Sequence, residues 1–168
     1  SFDTANAFPD AGVGCIRNKN FIMAFGTESV QFFYNAGLTP FPFAKAQSMT
    51  QKVGCVSANA IASISDTTFW AGSTPQGGIS IYQFDGQTSR ISDPQIDVVL
   101  WLAGSSNISL TTKRIYGLSF VHIQVGTTDF VYCLEEKAWY EDSSDAQRNY
   151  KCAGLSLGAT MLNYSISN

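Results

Sequence analysis

Polar and apolar residues alternate along this chain in short bursts, and the bursts come in pairs. Phe21-Ile22-Met23-Ala24-Phe25 ends at Gly26 and is followed by Val30-Gln31-Phe32-Phe33-Tyr34. Thr68-Phe69-Trp70-Ala71 ends at Gly72 and is followed by Ile79-Ser80-Ile81-Tyr82-Gln83-Phe84. Phe120-Val121-His122-Ile123-Gln124-Val125 ends at Gly126 and is followed by Phe130-Val131-Tyr132-Cys133-Leu134. A period of two sends successive side chains to opposite faces, so each burst predicts a strand, with the glycines as turns between them. Pro75-Gln76-Gly77-Gly78, Asp85-Gly86 and Glu135-Glu136-Lys137 supply further hairpin turns, the last leading into Ala138-Trp139-Tyr140.

One segment has a helical period instead. Ser92 or Asp93 caps it, Pro94 suits its first turn, and Ile96, Val99, Leu100 and Trp101 are expected to share one apolar stripe before Ala103-Gly104-Ser105-Ser106 ends it.

The strand pairs recur. Their turn glycines are 46 and 54 residues apart, and Val13-Gly14-Cys15 returns as Val53-Gly54-Cys55 at an offset of 40. Blades of β-propellers repeat at about 40–50 residues, each a four-stranded antiparallel sheet. The expected fold class is therefore all-β: a propeller-like stack of four-stranded antiparallel blades with one short helix. The repeats fall at about 13–52, 53–106 and 107–148, and a fourth begins in 149–168, from Tyr150-Lys151-Cys152 into Ala159–Tyr164. Residues 1–168 then make one propeller-like domain or a fragment of one, with about three and a half repeats. A lone blade cannot bury both faces, so neighbouring blades must stack. Three and a half blades do not close a ring, which leaves an open half-propeller, a smaller sandwich, or a remainder outside this sequence. The start at Ser1 and the strand-like end at Tyr164-Ser165-Ile166-Ser167-Asn168 suit an internal segment of a longer protein.

Composition narrows the function classes. Only 14% of the 168 residues are charged while 13% are aromatic, which excludes a disordered acidic tail, a long coiled coil and a general basic nucleic-acid binder. The net charge of −3 is uneven: residues 1–84 balance, and the excess lies in 85–168, largely in Glu135, Glu136, Glu141, Asp142 and Asp145. That run reads as a solvated hairpin end. No stretch of 18 apolar residues is present, so no membrane span is expected, and without a charged and then apolar opening no export signal is expected either.

Little in the sequence points to catalysis. Asp10, Glu28, Asp66, Asp85, Asp129 and Glu135 fall at expected turns, and no acid pair is placed to converge in a cleft. His122, the single histidine, lies in an alternating strand whose neighbours Val121 and Ile123 face the other way, so a structural role is expected. There is no Gly-x-Ser-x-Gly and no phosphate-binding loop after Gly12-Val13-Gly14. Cys15, Cys55, Cys133 and Cys152 are spaced 40, 78 and 19 apart, which fits no metal motif. Without export they read as free buried thiols, and the sequons at Asn107 and Asn163 carry no meaning. Trp70 and Trp139, in corresponding places of their repeats, are expected in the core. In Leu38-Thr39-Pro40-Phe41-Pro42-Phe43, Phe43 is expected to open a strand, with Phe41 either packed beneath it or exposed as a partner anchor.

The repeats also carry a resemblance. Phe8-Pro9-Asp10, Phe25-Gly26-Thr27-Glu28-Ser29-Val30-Gln31-Phe32-Phe33, Gln51-Lys52-Val53-Gly54-Cys55 with Met49 upstream, Phe69-Trp70-Ala71-Gly72, Gly78-Ile79-Ser80-Ile81-Tyr82, Arg90-Ile91-Ser92-Asp93-Pro94-Gln95-Ile96, Phe130-Val131-Tyr132 and Ala138-Trp139-Tyr140-Glu141 follow one another in the order and spacing of a known family. The chain resembles the packaged-DNA stabilisation, or tail hub, proteins of short-tailed bacteriophages and their prophages. It departs from them in lacking the flanking regions and in the place of His122, which is not where some relatives have a histidine in the third repeat.

The resemblance implies a structural virion protein: a tail hub subunit that closes the portal channel and retains packaged DNA. It implies a homo-oligomeric ring in the full-length protein, partners in a portal and adaptor ring and in tail needle or spike proteins, and a place in the virion tail after assembly in the host cytoplasm. It implies no enzyme, no cofactor, no sequence-specific nucleic acid and no membrane. A propeller-type carbohydrate-binding module or glycoside-acting enzyme is the alternative. The matched motifs build strands and turns, so no functional residue is carried over, and Phe41 is the one candidate contact. Mass spectrometry of alkylated, unreduced protein is expected to find four modified thiols; two intact bridges would contradict the compartment argument.

Overall fold

The computed structural model describes residues 10–143, which form three four-stranded antiparallel sheets and one α-helix. The first sheet contains β1 (Gly12–Asn18), β2 (Phe21–Gly26), β3 (Val30–Asn35) and β4 (Phe43–Lys45). The second contains β5 (Ile61–Ile64), β6 (Thr67–Ser73), β7 (Ile79–Phe84) and β8 (Thr88–Arg90). After α1 (Pro94–Ala103) comes the third, with β9 (Ile108–Ile115), β10 (Leu118–Val125), β11 (Thr128–Cys133) and β12 (Ala138–Ser143). Strand order follows chain order in every sheet, so each is a meander of hairpins, the blade expected from the pattern. The paired bursts are the second and third strands of each sheet. The expected fourth repeat and Cys152 lie outside the described residues.

The stack follows from the strand pleat. In β6, Phe69 and Ala71 turn to one side and join Ile81, Val121, Ile123 and Tyr132 in a core shared with the third sheet. Trp70, the residue between them, turns to the other side and joins Met23, Phe25, Val30, Phe32 and Phe84 in a core shared with the first sheet. β7 divides in the same way, Ile79 and Ile81 facing the third sheet and Tyr82 and Phe84 the first. The second sheet thus lies between its neighbours, and β6 is buried nearly throughout. On the third sheet, Phe120, Val131, Cys133 and Tyr140 form a further apolar layer on the face turned away from the second.

The linker that follows the first sheet is tied to both sheets it joins. Gln51 and Val30 exchange two backbone hydrogen bonds of 3.0 Å, and the Cys55 N–H donates to Gly26 O at 2.8 Å. On the other side, Gly54 exchanges two bonds with Ser73, and the Val56 N–H donates to Ala71 O. A Cβ on Gly54 would lie 1.9 Å from the Thr27 carbonyl oxygen, so the first sheet approaches this residue more closely than any side chain allows. At the opposite end of the strands, Asn18 Nδ2 crosses to Asp66 O (3.0 Å) and Thr68 Oγ1 (2.8 Å). Ser65 and Ser119 then share a 2.7 Å hydroxyl contact between the second and third sheets.

Several expectations change. Gly72 is not a turn residue: it lies inside β6, where a Cβ would strike Val53 Cγ1 at 2.5 Å and the Tyr82 ring at 2.7 Å. Val13-Gly14-Cys15 belongs to β1, whereas Val53-Gly54-Cys55 is irregular linker that only borders β6. Trp70 and Trp139 are not equivalent either, since one is in a second strand and the other in a fourth. Trp70 is fully buried; Trp139 is half-buried and donates its indole N–H to Ile91 O at 2.9 Å. Asp129 sits in β11 rather than in the turn before it.

Among the described cysteines, Cys55 and Cys133 are buried thiols and Cys15 is an exposed one, because it faces away from the second sheet on an edge strand. The helix keeps its expected cap, with Asp93 accepting from the Ile96 N–H, while Ser92 accepts from the Ile81 N–H. Trp101, however, is 60% exposed. At about 100° of rotation per residue it lies well round the helix from the buried Ile96 and Leu100.

Replacing Trp70 with Ala should cost about 3–5 kcal/mol in denaturant unfolding, since it empties the core between the first two sheets. Gly54→Ala should also exceed the usual loss of about 1 kcal/mol, because the clash is with backbone that cannot rotate away.

Candidate partner-contact surfaces

The described residues offer two ends and two outer faces for contact. Antiparallel order puts the β1–β2, β5–β6 and β9–β10 turns at one end, where Asn18 and Ser65 link them, and the β3–β4 loop joins them there. This hairpin end carries exposed apolar groups, Leu38 and Phe41 in the β3–β4 loop and the 75% exposed Tyr116 in the β9–β10 turn.

The β3–β4 loop is closed across its base by the Ala36 N–H to Pro42 O bond at 2.8 Å and by Gly37 N–H to Asn35 Oδ1 at 2.9 Å. Phe43 opens β4 as expected. Phe41 does not pack beneath it. It stands 59% exposed, with its ring edge-on to Phe43 at 5.8 Å. Two flanking prolines and the closed base limit its freedom before any contact is made, which lowers the entropy lost on binding.

The helix presents a second apolar ridge that the sequence reading missed: Val98, Trp101 and Leu102 are all exposed. Their i, i+3, i+4 spacing was the available signal, masked by the buried stripe on the other side of the same helix. Asp97, the acid of its first turn, is occupied by Ser92 and Arg90.

At the other end, Thr27, Glu28, Ser29, Lys52, Ser73, Thr74 and Pro75 line a crevice of about 410 Å³. Three of these residues are held by one carboxylate. The Asp10 carboxylate accepts from Thr27 Oγ1 (2.6 Å), the Glu28 and Ser29 N–H groups (2.9 and 2.8 Å) and Ser29 Oγ (2.9 Å), clamping the β2–β3 turn. Partial burial works to raise its pKa, but the hydrogen bonds together outweigh it and leave the carboxyl below its ordinary value.

The remaining candidates are dispersed. Glu135 is not merely solvated, since it accepts the Ser119 N–H at 2.7 Å and so ties the β11–β12 turn to β10. Burial raises the Cys133 thiol above its usual pKa, so it stays protonated and unreactive. His122 lies on the far face of the third sheet, in register with Thr111 and Val131. Among the described residues, its buried Nε2 meets no hydrogen-bond partner, and no Ser or Cys hydroxyl or thiol is bonded to it. Burial first, and the nearby Lys113 second, push its pKa from 6.5 down to about 4. No group of three or more His, Cys, Asp or Glu among the described residues could hold a metal ion, and no described helix is long and apolar enough to cross a membrane.

The stacked four-stranded sheets have a counterpart among known families. Residues 1–150 match the model of a phage stabilisation family described as bacteriophage P22 Gp10, beta-propeller. The chain belongs to this family. The phage stabilisation family is one of phage structural proteins, so the chain has a structural, DNA-stabilising role and belongs with virion components. The three stacked four-stranded sheets are the blades that the description names. No curated protein matches the chain at a significant level.

The His122 environment sets a pH dependence. Its folded pKa is depressed, so between pH 6.5 and about 4 the unfolded chain binds a proton that the folded chain refuses. The folded state should therefore lose stability as pH falls through that window, by at most about 3 kcal/mol from this group. His122→Gln should flatten the decline in thermal melts between pH 6.5 and 4.5; the loss from carboxylates held below their ordinary pKa, such as Asp10, sets in at lower pH.

Proposed function

We propose that this chain is part of a tail hub subunit that closes the portal channel and helps to retain packaged DNA. The observation that carries the reading is the family match over residues 1–150, on a chain folded as consecutive blades. On this reading the protein is not an enzyme. It works by holding neighbours, its blades form a rigid body, and contact falls to the loops between strands.

The full-length protein forms a closed homo-oligomeric ring in the virion tail, assembled in the host cytoplasm. Its partners are the portal and adaptor ring on one side and tail needle or spike proteins on the other. Phe41 is the contact residue we assign, because a large, exposed and preorganised aromatic side chain has the character of an interface anchor. The alternative, a carbohydrate-binding module or glycoside-acting enzyme, has no convergent acid pair among the described residues to support it.

The test is a pull-down of the full-length protein with a reconstituted portal–adaptor assembly. A ring that binds the assembly, weakened by about 1–2 kcal/mol or more in Phe41→Ala, is the expected result. A full-length protein that stays monomeric and ignores the assembly, or turnover of a glycoside abolished by changing one acid, overturns the reading.

A further inference from the structure

A cleft of about 690 Å³ opens at the hairpin end of the first sheet, beside the Phe41 loop. Its described lining includes Arg17, Lys19, Asn20, Ile22, Tyr34 and Phe43, with cations and aromatic rings but no carboxylate. Strand register explains the mixture. Arg17, Ile22, Phe33 and Lys45 occupy one row across β1, β2, β3 and β4 on the face turned away from the second sheet. A cation thus stands at each edge of the row, with apolar groups between. Arg17 lines the cleft, and its Nε donates to Lys19 O at 3.2 Å. Phe43 lines the cleft and also touches the Phe41 ring, so the exposed Leu38 and Phe41 continue it with apolar surface.

We propose that this cleft is a docking site for a short acidic segment of a partner polypeptide, carboxylates on Arg17 and Lys19 and an apolar side chain against Tyr34, Phe43 and Phe41. The proposal rests on reading the chain as an assembly subunit and names the chemistry of one of its partners. Charge complementarity selects the occupant. The chain as a whole carries −3, yet this patch is locally positive, so it attracts an anion at this place and not elsewhere. A single-stranded nucleic acid would also meet cations and rings, but the two lining cations, Arg17 and Lys19, match one or two carboxylates and are too few to track a polyphosphate backbone, and the aliphatic Leu38 offers no base a stacking platform. The volume is in the range of about 300–1,000 Å³ that takes a few side chains rather than a folded domain. Arg, Tyr and Phe around a partly apolar centre are also the residue types that carry most binding energy at protein contacts.

The experiment uses the 168-residue chain and a fluorescein-labelled peptide of ten residues alternating Glu with Phe or Leu. Its controls are the same peptide with Lys in place of Glu, and an oligothymidylate of ten nucleotides. The acidic peptide should bind in fluorescence anisotropy with a Kd below about 1 mM and weaken with added salt. Amide shifts in NMR spectra should cluster at residues 17–22 and 34–45. Arg17→Glu with Lys19→Glu should reduce affinity by about tenfold or more; these exposed changes leave the core untouched, and Arg17→Gln alone supplies a milder step in the same direction. No binding, equal binding of the Lys peptide, shifts elsewhere, indifference to charge reversal, or tighter binding of the oligothymidylate each overturns the proposal. Because the assay contains no portal or adaptor, its failure would leave the tail hub reading to its own pull-down.

Discussion

Phe69 and Trp70 are consecutive in the chain and belong to different cores. That division is the constraint on which the rest depends. A sheet with a neighbour on each side must be apolar on both faces, so its central strands lose the polar side that an exposed antiparallel strand keeps. β6 meets the requirement with Phe69 and Ala71 on one face and Trp70 on the other, and β7 repeats it with Ile81 and Phe84. Removing one large side chain therefore loosens one interface and leaves the other nearly intact.

Close approach between sheets limits what the connecting chain can be. The linker at Gln51–Val56 bonds to β2 and β3 on one side and to β6 on the other, leaving no room for a side chain at Gly54 and little at Gly72. Polar ties do the same work at the hairpin end, where Asn18 and Ser65 satisfy buried partners on the next sheet. With both ends of the strands fastened, the sheets form a stiff stack whose turns are held in fixed relation. Loops such as 36–42, closed at the base, are already ordered, so little entropy would be lost if one associated with another surface.

Charge is used sparingly and locally. Asp10, Asp93 and Glu135 each fasten a turn or a helix start through backbone N–H groups. The cations of the first sheet lie on its outer face, while the acidic β11–β12 turn lies on the third. The low overall charge therefore coexists with distinct surface chemistry at the two ends of the stack.

The sequence by itself determined the central strand pair of each sheet, its pairing into a hairpin and the helix start, because each depends on neighbours a few residues apart: pleat alternation, turn chemistry and a cap at Ser92 or Asp93. The motifs that carried the family resemblance were legible for the same reason, being strand and turn residues. Tertiary structure alone decided which face of each strand met which neighbour, and so why Gly72 is needed inside a strand rather than in a turn. It decided that Trp101 looks outward while Leu100 is buried, a matter of where the helix touches the sheets. It decided that Phe41 stands exposed instead of lying under Phe43, and that Arg17, Tyr34 and Phe43, distant in sequence, line one cleft. These depend on contacts between residues far apart along the chain, and a local pattern of polar and apolar positions holds no record of them.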